Sequence, residues 1–221
     1  MSQVKSAGVV PYAINARGEV CFLLGREGYV QGWRESDKWG FFGGKIEKSD
    51  ACVEHGAARE CYEETAGCVM SYGELRQLLL ARDYALMLDA IFKTSRTVYY
   101  FVQVAFKDYP SMFRNTKQFV QYCNGKVDCI EKSQLKWFGY NELHSHLFET
   151  GDASANYFSY NRRKPYFRRK FIEIMRFFYE NNGIRFLRRP SPAGSASPPL
   201  CRQISFHVEM KNGQSARNSE K

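Results

Sequence analysis

No run of 18 apolar residues occurs in this chain, so a membrane-spanning helix is not expected. The opening MSQVKSAGVV has one lysine and no apolar core of secretory-signal length. Paired CxxC sets are also lacking. The seven cysteines, at positions 21, 52, 61, 68, 123, 129 and 201, are odd in number and scattered. That usage fits reduced thiols in a cytoplasmic setting better than a disulfide framework or a zinc site. There is no internal repeat. Acidic residues are scarce only in the C-terminal part: from Arg162 onward, 14 Lys or Arg face 4 Glu, leaving 18 basic against 19 acidic residues before it. The net charge of +9 therefore belongs to the C-terminal part. Such a patch attracts a polyanion or simply keeps a surface soluble, and it says nothing of fold.

With 221 residues, 44% hydrophobic and 15% aromatic, the chain can bury one good core with decoration. Residues 5–14 and 19–24 read as two strands joined by a turn at Asn15 to Gly18. A polar, glycine-punctuated loop follows. Residues 68–72 suit a short strand, and the spacing of Leu75, Leu78, Leu79, Leu86 and Met87 predicts a helix within 74–92. Residues 97–106, TVYYFVQVAF, form a continuous β-branched and aromatic run, as a strand buried on both faces requires. Beyond it come a helix at 111–122, a turn at Asn124-Gly125 and a strand at 135–138. Residues 165–182 place Phe167, Phe171, Ile174, Met175 and Phe178 at helical spacing, with Arg168, Arg169 and Arg176 opposite. This is a basic amphipathic helix, suited to core docking, to an acidic partner or to a nucleic-acid backbone. The expected divisions are a catalytic domain at 1–150, a helical extension at 151–187 and a Pro/Ser-rich tail at 188–221. A short strand or intermolecular contact at 203–210 would lie in the tail, and a homodimer is among the expected states.

Residues 43–67, GGKIEKSDACVEHGAARECYEETAG, concentrate the chemistry. Glu60, Glu63 and Glu64 stand at i, i+3 and i+4, so on a helix they share a face. Ser49 or Asp50 suits its cap, Ala57, Ala58 and Cys61 form a narrow apolar stripe, and Ala66-Gly67 ends it. Three carboxylates so close call for a positive partner. A hard divalent cation, Mg2+ or Mn2+, is the usual occupant of an all-oxygen site. On spacing alone, a solvated helix with Arg59 paired to Glu63 remains open.

This stretch resembles the Nudix box, in which a glycine, five residues, a glutamate and seven residues precede Arg-Glu-aliphatic-any-Glu-Glu-any-Gly-aliphatic. Gly44 matches the opening glycine, and Arg59, Glu60, Cys61, Glu63 and Glu64 match its core. The sequence departs from the box in three places. Asp50 stands for the first glutamate, the gap from it to Arg59 is one residue longer, and Ala66 displaces the late glycine to Gly67. The resemblance covers roughly residues 4–145, ending at a tryptophan-bearing strand that runs into a short helix, Trp137 through Leu143.

What the resemblance implies is an α/β protein, a Nudix-type α/β/α sandwich with a mixed central sheet, extended here by the C-terminal basic amphipathic helix. The implied activity is metal-dependent hydrolysis of a phosphoanhydride in a nucleoside diphosphate joined to another moiety. Glu60, Glu63 and Glu64 carry over as metal-binding residues, with Glu64 the closest bridge. Backbone at Gly43 and Gly44 would approach metal and substrate, Arg59 looks structural, and Asp50 stands in for the missing glutamate. Glu131 is either a recruited ligand or base, or a solvated loop residue. Arg26 and Arg34 are candidates for a substrate phosphate, against ordinary surface arginines, and Tyr29, Trp33 or Phe42 for stacking a base. Small nucleotides and the RNA 5′ cap are the two substrate classes, the latter drawing on basic residues 162–189. A Nudix-like domain kept only for binding is the non-enzymatic reading.

Overall fold

The computed structural model describes residues 3–92, 95–123, 131–148 and 166–187. Its centre is a seven-stranded mixed sheet in which β3 (Trp39–Gly40), β2 (Val20–Glu27), β1 (Val4–Ile14), β6 (Ser95–Gln103) and β5 (Leu86–Phe92) lie in that order. Strand β4 (Phe42–Lys45) pairs with β1 and β7 (Lys132–Gly139) with β2. Only β1 and β6 run parallel among these pairings. One edge of β1 serves two partners, β4 along Ser6 to Val9 and β2 along Tyr12 to Ile14. Pro11, with no N–H to give, sits at the changeover.

Helices cover both faces, as the expected sandwich requires. Alternation along β6 sends Val98, Tyr100 and Val102 to one core and Tyr99 and Phe101 to the other. The first core includes α1 (Val53–Glu64) through Ala57, Ala58 and Cys61, α2 (Tyr72–Leu80) through Leu75 and Leu79, and α3 (Tyr109–Tyr122) through Tyr109 and Phe113. The second receives Leu143 and Leu147 of α4 (Tyr140–Phe148). It also takes Phe171, Ile174, Met175 and Phe178 of α5 (Arg169–Glu180), then Phe186 and Leu187 of α6 (Ile184–Leu187). The C-terminal amphipathic helix thus shares a core with the sheet. Its basic face is partly spent on the protein itself, because Arg176 donates to the carbonyl of Leu147 at 2.8 Å.

Several expectations need correction. Residues 68–72 form no strand; Ser71 and Glu74 instead make a reciprocal capping box that starts α2 at Tyr72. That helix stops at Leu80, Arg82 turns at φ 58°, and Leu86–Phe92 is a strand. Period alone does not separate a short apolar run on a helix from one on a strand buried on both faces. Neither Ser49 nor Asp50 caps α1, whose N-cap is Cys52 without a side-chain bond. Helix α5 begins at Arg169, after Phe167 has bridged to Trp39 in extended conformation. The turn at 124–125, the residues 162–165 and 188–189, and the strand expected at 203–210 lie outside the described residues.

Ala66 adopts φ 52°, the left-handed conformation that glycine takes without penalty, and Gly67 follows at φ 68°. The displaced glycine thus leaves an alanine at a position that disfavours a side chain. Ala66→Gly is expected to stabilise the protein by about 1 kcal/mol, measured as a rise in the urea midpoint. No helix among the described residues is long and apolar enough to cross a membrane.

Candidate active site

Small residues bring α1 down onto the sheet. Gly56, Ala57, Ala58, Cys61 and Glu64 are its buried positions, and a Cβ on Gly56 would come within 2.6 Å of Ile46. This close seating carries the end of α1 to the paired backbones of β1 and β4. A Cβ on Gly43 would lie 2.5 Å from the Cα of Gly8, and one on Gly44 would lie 2.5 Å from the carboxylate of Glu60. Close backbone approach therefore requires glycine at 43, whereas at 44 the neighbour is the end of a side chain that can shift.

The helix carboxylates separate into distinct environments. Glu64 is buried; its Oε2 accepts from the N–H of Gly43 at 2.7 Å, and its Oε1 lies 2.7 Å from the Nζ of Lys132. Burial pushes its carboxyl up to about 7, with the Lys132 ammonium and the Gly43 N–H opposing and Glu27 adding to the rise. Glu60 rests beneath Gly44, raised above the usual carboxylate range by burial and held back by Arg59. Glu63 is half-exposed and paired with Arg59 at 3.1 Å.

Arg59 is a structural hub. Its guanidinium reaches Asp50 at 3.1 Å through both Nε and Nη2, the Lys45 carbonyl at 3.1 Å, and Glu60 and Glu63 at 3.1 Å. Asp50 also accepts from the N–H of Glu47 at 2.8 Å, so it folds the loop before α1 around Arg59. The hydrogen bonds from Arg59 hold its carboxyl below the ordinary value of 3.8. Because the folded-state value is depressed, this pair contributes stability above about pH 4 that is lost as pH falls through the lowered value. Asp50→Asn is expected to cost about 2 kcal/mol near neutrality and to flatten the acid limb of stability, read by urea unfolding from pH 3 to 6.

The three carboxylates that converge are Glu27, Glu64 and Glu131, with one oxygen from each lying within 4.8 Å of the others. Glu131 is exposed; Glu27 and Glu64 are buried. All-oxygen donors of this kind fit a hard divalent cation. Glu60, Glu63 and Asp50 are not in that group. Glu27 ends β2 and is bonded by Lys132 at 2.5 Å and by Arg168 at 2.6 Å. Sequence reasoning missed Glu27, Lys132 and Arg168. The one local signal was an acid closing a buried strand.

A cleft of about 650 Å³ is lined by Gly43, Gly44, Phe41, Tyr99, Arg168 and Lys170 among others; none of the three carboxylates lines it, and Gly43 and Arg168 connect it to Glu64 and Glu27. The residues picked for stacking and phosphate contact lie elsewhere. Phe42 is fully buried in the core on the other side of its strand and cannot stack a base, a correction that follows from strand alternation. Tyr29 is 78% exposed, and Trp33 lies under the Arg168 guanidinium at 5.8 Å. Arg26 is paired with Asp37 at 2.8 Å, and Arg34 is exposed. None of these five lines the cleft.

Fold and site together define an α/β protein with a carboxylate cluster at the end of a helix packed on a glycine-bearing strand. The NUDIX domain matches residues 3–159, and the chain belongs to that family. Such hydrolases generally use divalent metals and cleave nucleoside diphosphate derivatives. Similar solved structures include a MutT/nudix family protein from Enterococcus faecalis, with 15% identity and a TM-score of 0.37, covering 63% of this chain and 45% of that one. The chain thus spans less than half the length of that protein. A C. elegans Ap4A hydrolase is 18% identical, with a TM-score of 0.36 over 64% of this chain and 83% of that one. A NUDIX hydrolase from Alicyclobacillus acidocaldarius is 12% identical, with a TM-score of 0.44 over 80% and 91%. No curated protein matches in sequence.

Proposed function

We propose that this protein is a Mg2+- or Mn2+-dependent pyrophosphohydrolase of a small nucleoside diphosphate derivative. The observation that carries the reading is the junction of the cleft with the buried carboxylates: Gly43 lines the cleft and donates to Glu64, and Arg168 lines it and bonds Glu27. A volume of about 650 Å³ suits a ligand the size of a nucleotide. Phe41 and Tyr99, 5% and 8% exposed, close the apolar wall of the cleft, while Arg168 and Lys170 offer cations to a phosphate chain.

Glu27, Glu64 and Glu131 would hold the cation, which when bound neutralises phosphate oxygens and lowers the pKa of water. Glu60, outside that trio and held under Gly44, is placed to take the proton of an attacking water. The oxygen of that water bonds to phosphorus as the bridging P–O bond breaks, and its proton passes to the carboxylate. Arg59 orients Glu60 while itself fixed by Asp50. The Gly43 N–H keeps Glu64 turned toward the strand.

The test is product release by the purified protein in Mg2+ and in Mn2+ from nucleotide sugars, dinucleoside polyphosphates, nucleoside triphosphates and cap-labelled RNA. Preferential cleavage of a small nucleotide is expected. Release of m7GDP from capped RNA alone would replace that substrate class, and no product from any member would overturn the hydrolase reading.

A further inference from the structure

Lys132 has no part in the proton transfer above, yet it sits at the centre of the site. Its side chain is fully buried, with Nζ 2.5 Å from Oε1 of Glu27 and 2.7 Å from Oε1 of Glu64. The surroundings are built around it. A Cβ on Gly25 would come within 2.8 Å of the Phe42 ring and 3.0 Å of the Lys132 stem, so the glycine leaves room for both. Lys117 of α3 donates to the Lys132 carbonyl at 2.8 Å and pins the start of β7.

An ammonium withdrawn from water is costly unless paired. Its partners here are two of the three carboxylates that fit a divalent cation. The Lys132 ammonium and a divalent cation therefore compete for the same two carboxylates. Arg168 adds a second positive charge on Glu27, so the two buried carboxylates are balanced by the chain's own cations.

We propose that Lys132 is a tethered cation that takes the seat of a divalent ion between Glu27 and Glu64, and that it leaves Glu64 when the ion binds. This rests on the metal-dependent reading. Lys132 thereby keeps the site folded without metal and weakens metal affinity. A purely structural lysine would do the first and not the second.

The experiment compares Mn2+ binding by the full chain and by Lys132→Met, using electron paramagnetic resonance of free Mn2+ and calorimetry. Removing a positive charge within a few ångströms of the ion should tighten Mn2+ binding at least ~10-fold and enlarge the rise in melting temperature on adding Mn2+. Equal affinity in the two proteins overturns the inference, as does absence of binding in both. If Lys132→Met does not fold without metal, recovery of cooperative melting in Mn2+ supports displacement. If it fails to fold even then, the wild-type protein decides, through the side-chain resonance of 13C-labelled Lys132 on addition of Mg2+. Movement at saturating Mg2+ supports displacement, and an unmoved resonance overturns it. Binding, not turnover, is read throughout: absence of binding in both proteins counts against the metal-dependent reading as well, whereas equal affinity overturns this inference alone.

Discussion

Glu64→Gln is expected to lower turnover at least ~100-fold in either metal, while the protein continues to unfold cooperatively. The substitution keeps the shape of a buried side chain and removes the charge that a metal-holding carboxylate needs. Both Glu64 oxygens face donors, the Gly43 N–H and the Lys132 ammonium. A glutamine must therefore turn its amide NH2 toward one of them and lose that bond, at about 1–3 kcal/mol. The lost cost of burying a charge offsets part of this, since burial is the largest cause of the raised Glu64 value. A fall in melting temperature of a few degrees should accompany the loss of activity. Steady-state kinetics against the best substrate of the panel provides the check, and turnover within threefold of wild type would remove Glu64 from the chemistry.

Deleting residues 166–187 is expected to abolish cooperative folding altogether. Phe171, Ile174, Met175, Phe178 and Leu187 are each no more than 2% exposed and share a core with Phe22 and Phe101 of the sheet, both of which Phe178 contacts. Phe178 stacks on Phe101 with ring centroids 5.1 Å apart, and a Cβ on Gly183 would lie 2.2 Å from its ring. Phe178→Ala alone should cost about 3–5 kcal/mol, a large share of the roughly 5–15 kcal/mol typical of a folded domain. Removing the whole segment strips one face of the sheet. The readouts are the urea midpoint for Phe178→Ala, and dye binding with a broad melt for the deletion. A deleted chain that melts sharply near the wild-type temperature would mean that α5 is an appendage.

What the sequence disclosed depended on how far apart partners lie along it. The α1 carboxylates and the Ala57, Ala58 and Cys61 stripe repeat every three or four residues, so their face was readable from spacing alone. The run at 97–106 announced a strand buried on both sides, and β6 is one as far as Gln103, with residues 104–106 beyond its end and Phe106 exposed. Leu86, Met87 and Leu88 satisfy helix and strand templates alike, and pairing with β6 decides between them. Phe41 and Phe42 are chemically identical neighbours; only the register of β4 on β1 sends Phe42 to the core under α1 and Phe41 to the opposite core at the cleft wall. Lys132 and Arg168 join Glu27 across 105 and 141 residues, and no local pattern specifies such contacts.

The bond from Arg168 to Glu27, together with the Trp39 to Phe167 bridge, also sets an order of events during synthesis. Chains emerge from the ribosome N-terminus first. The box helix and its carboxylates are therefore made long before Lys132 and Arg168 exist to neutralise Glu27. Until the segment beginning at Tyr166 has been translated, Glu27 has Lys132 but lacks Arg168, and an aromatic sheet face lacks its cover. A ribosome stalled before codon 166 is therefore expected to carry a chain whose uncovered aromatic face is open to chaperones.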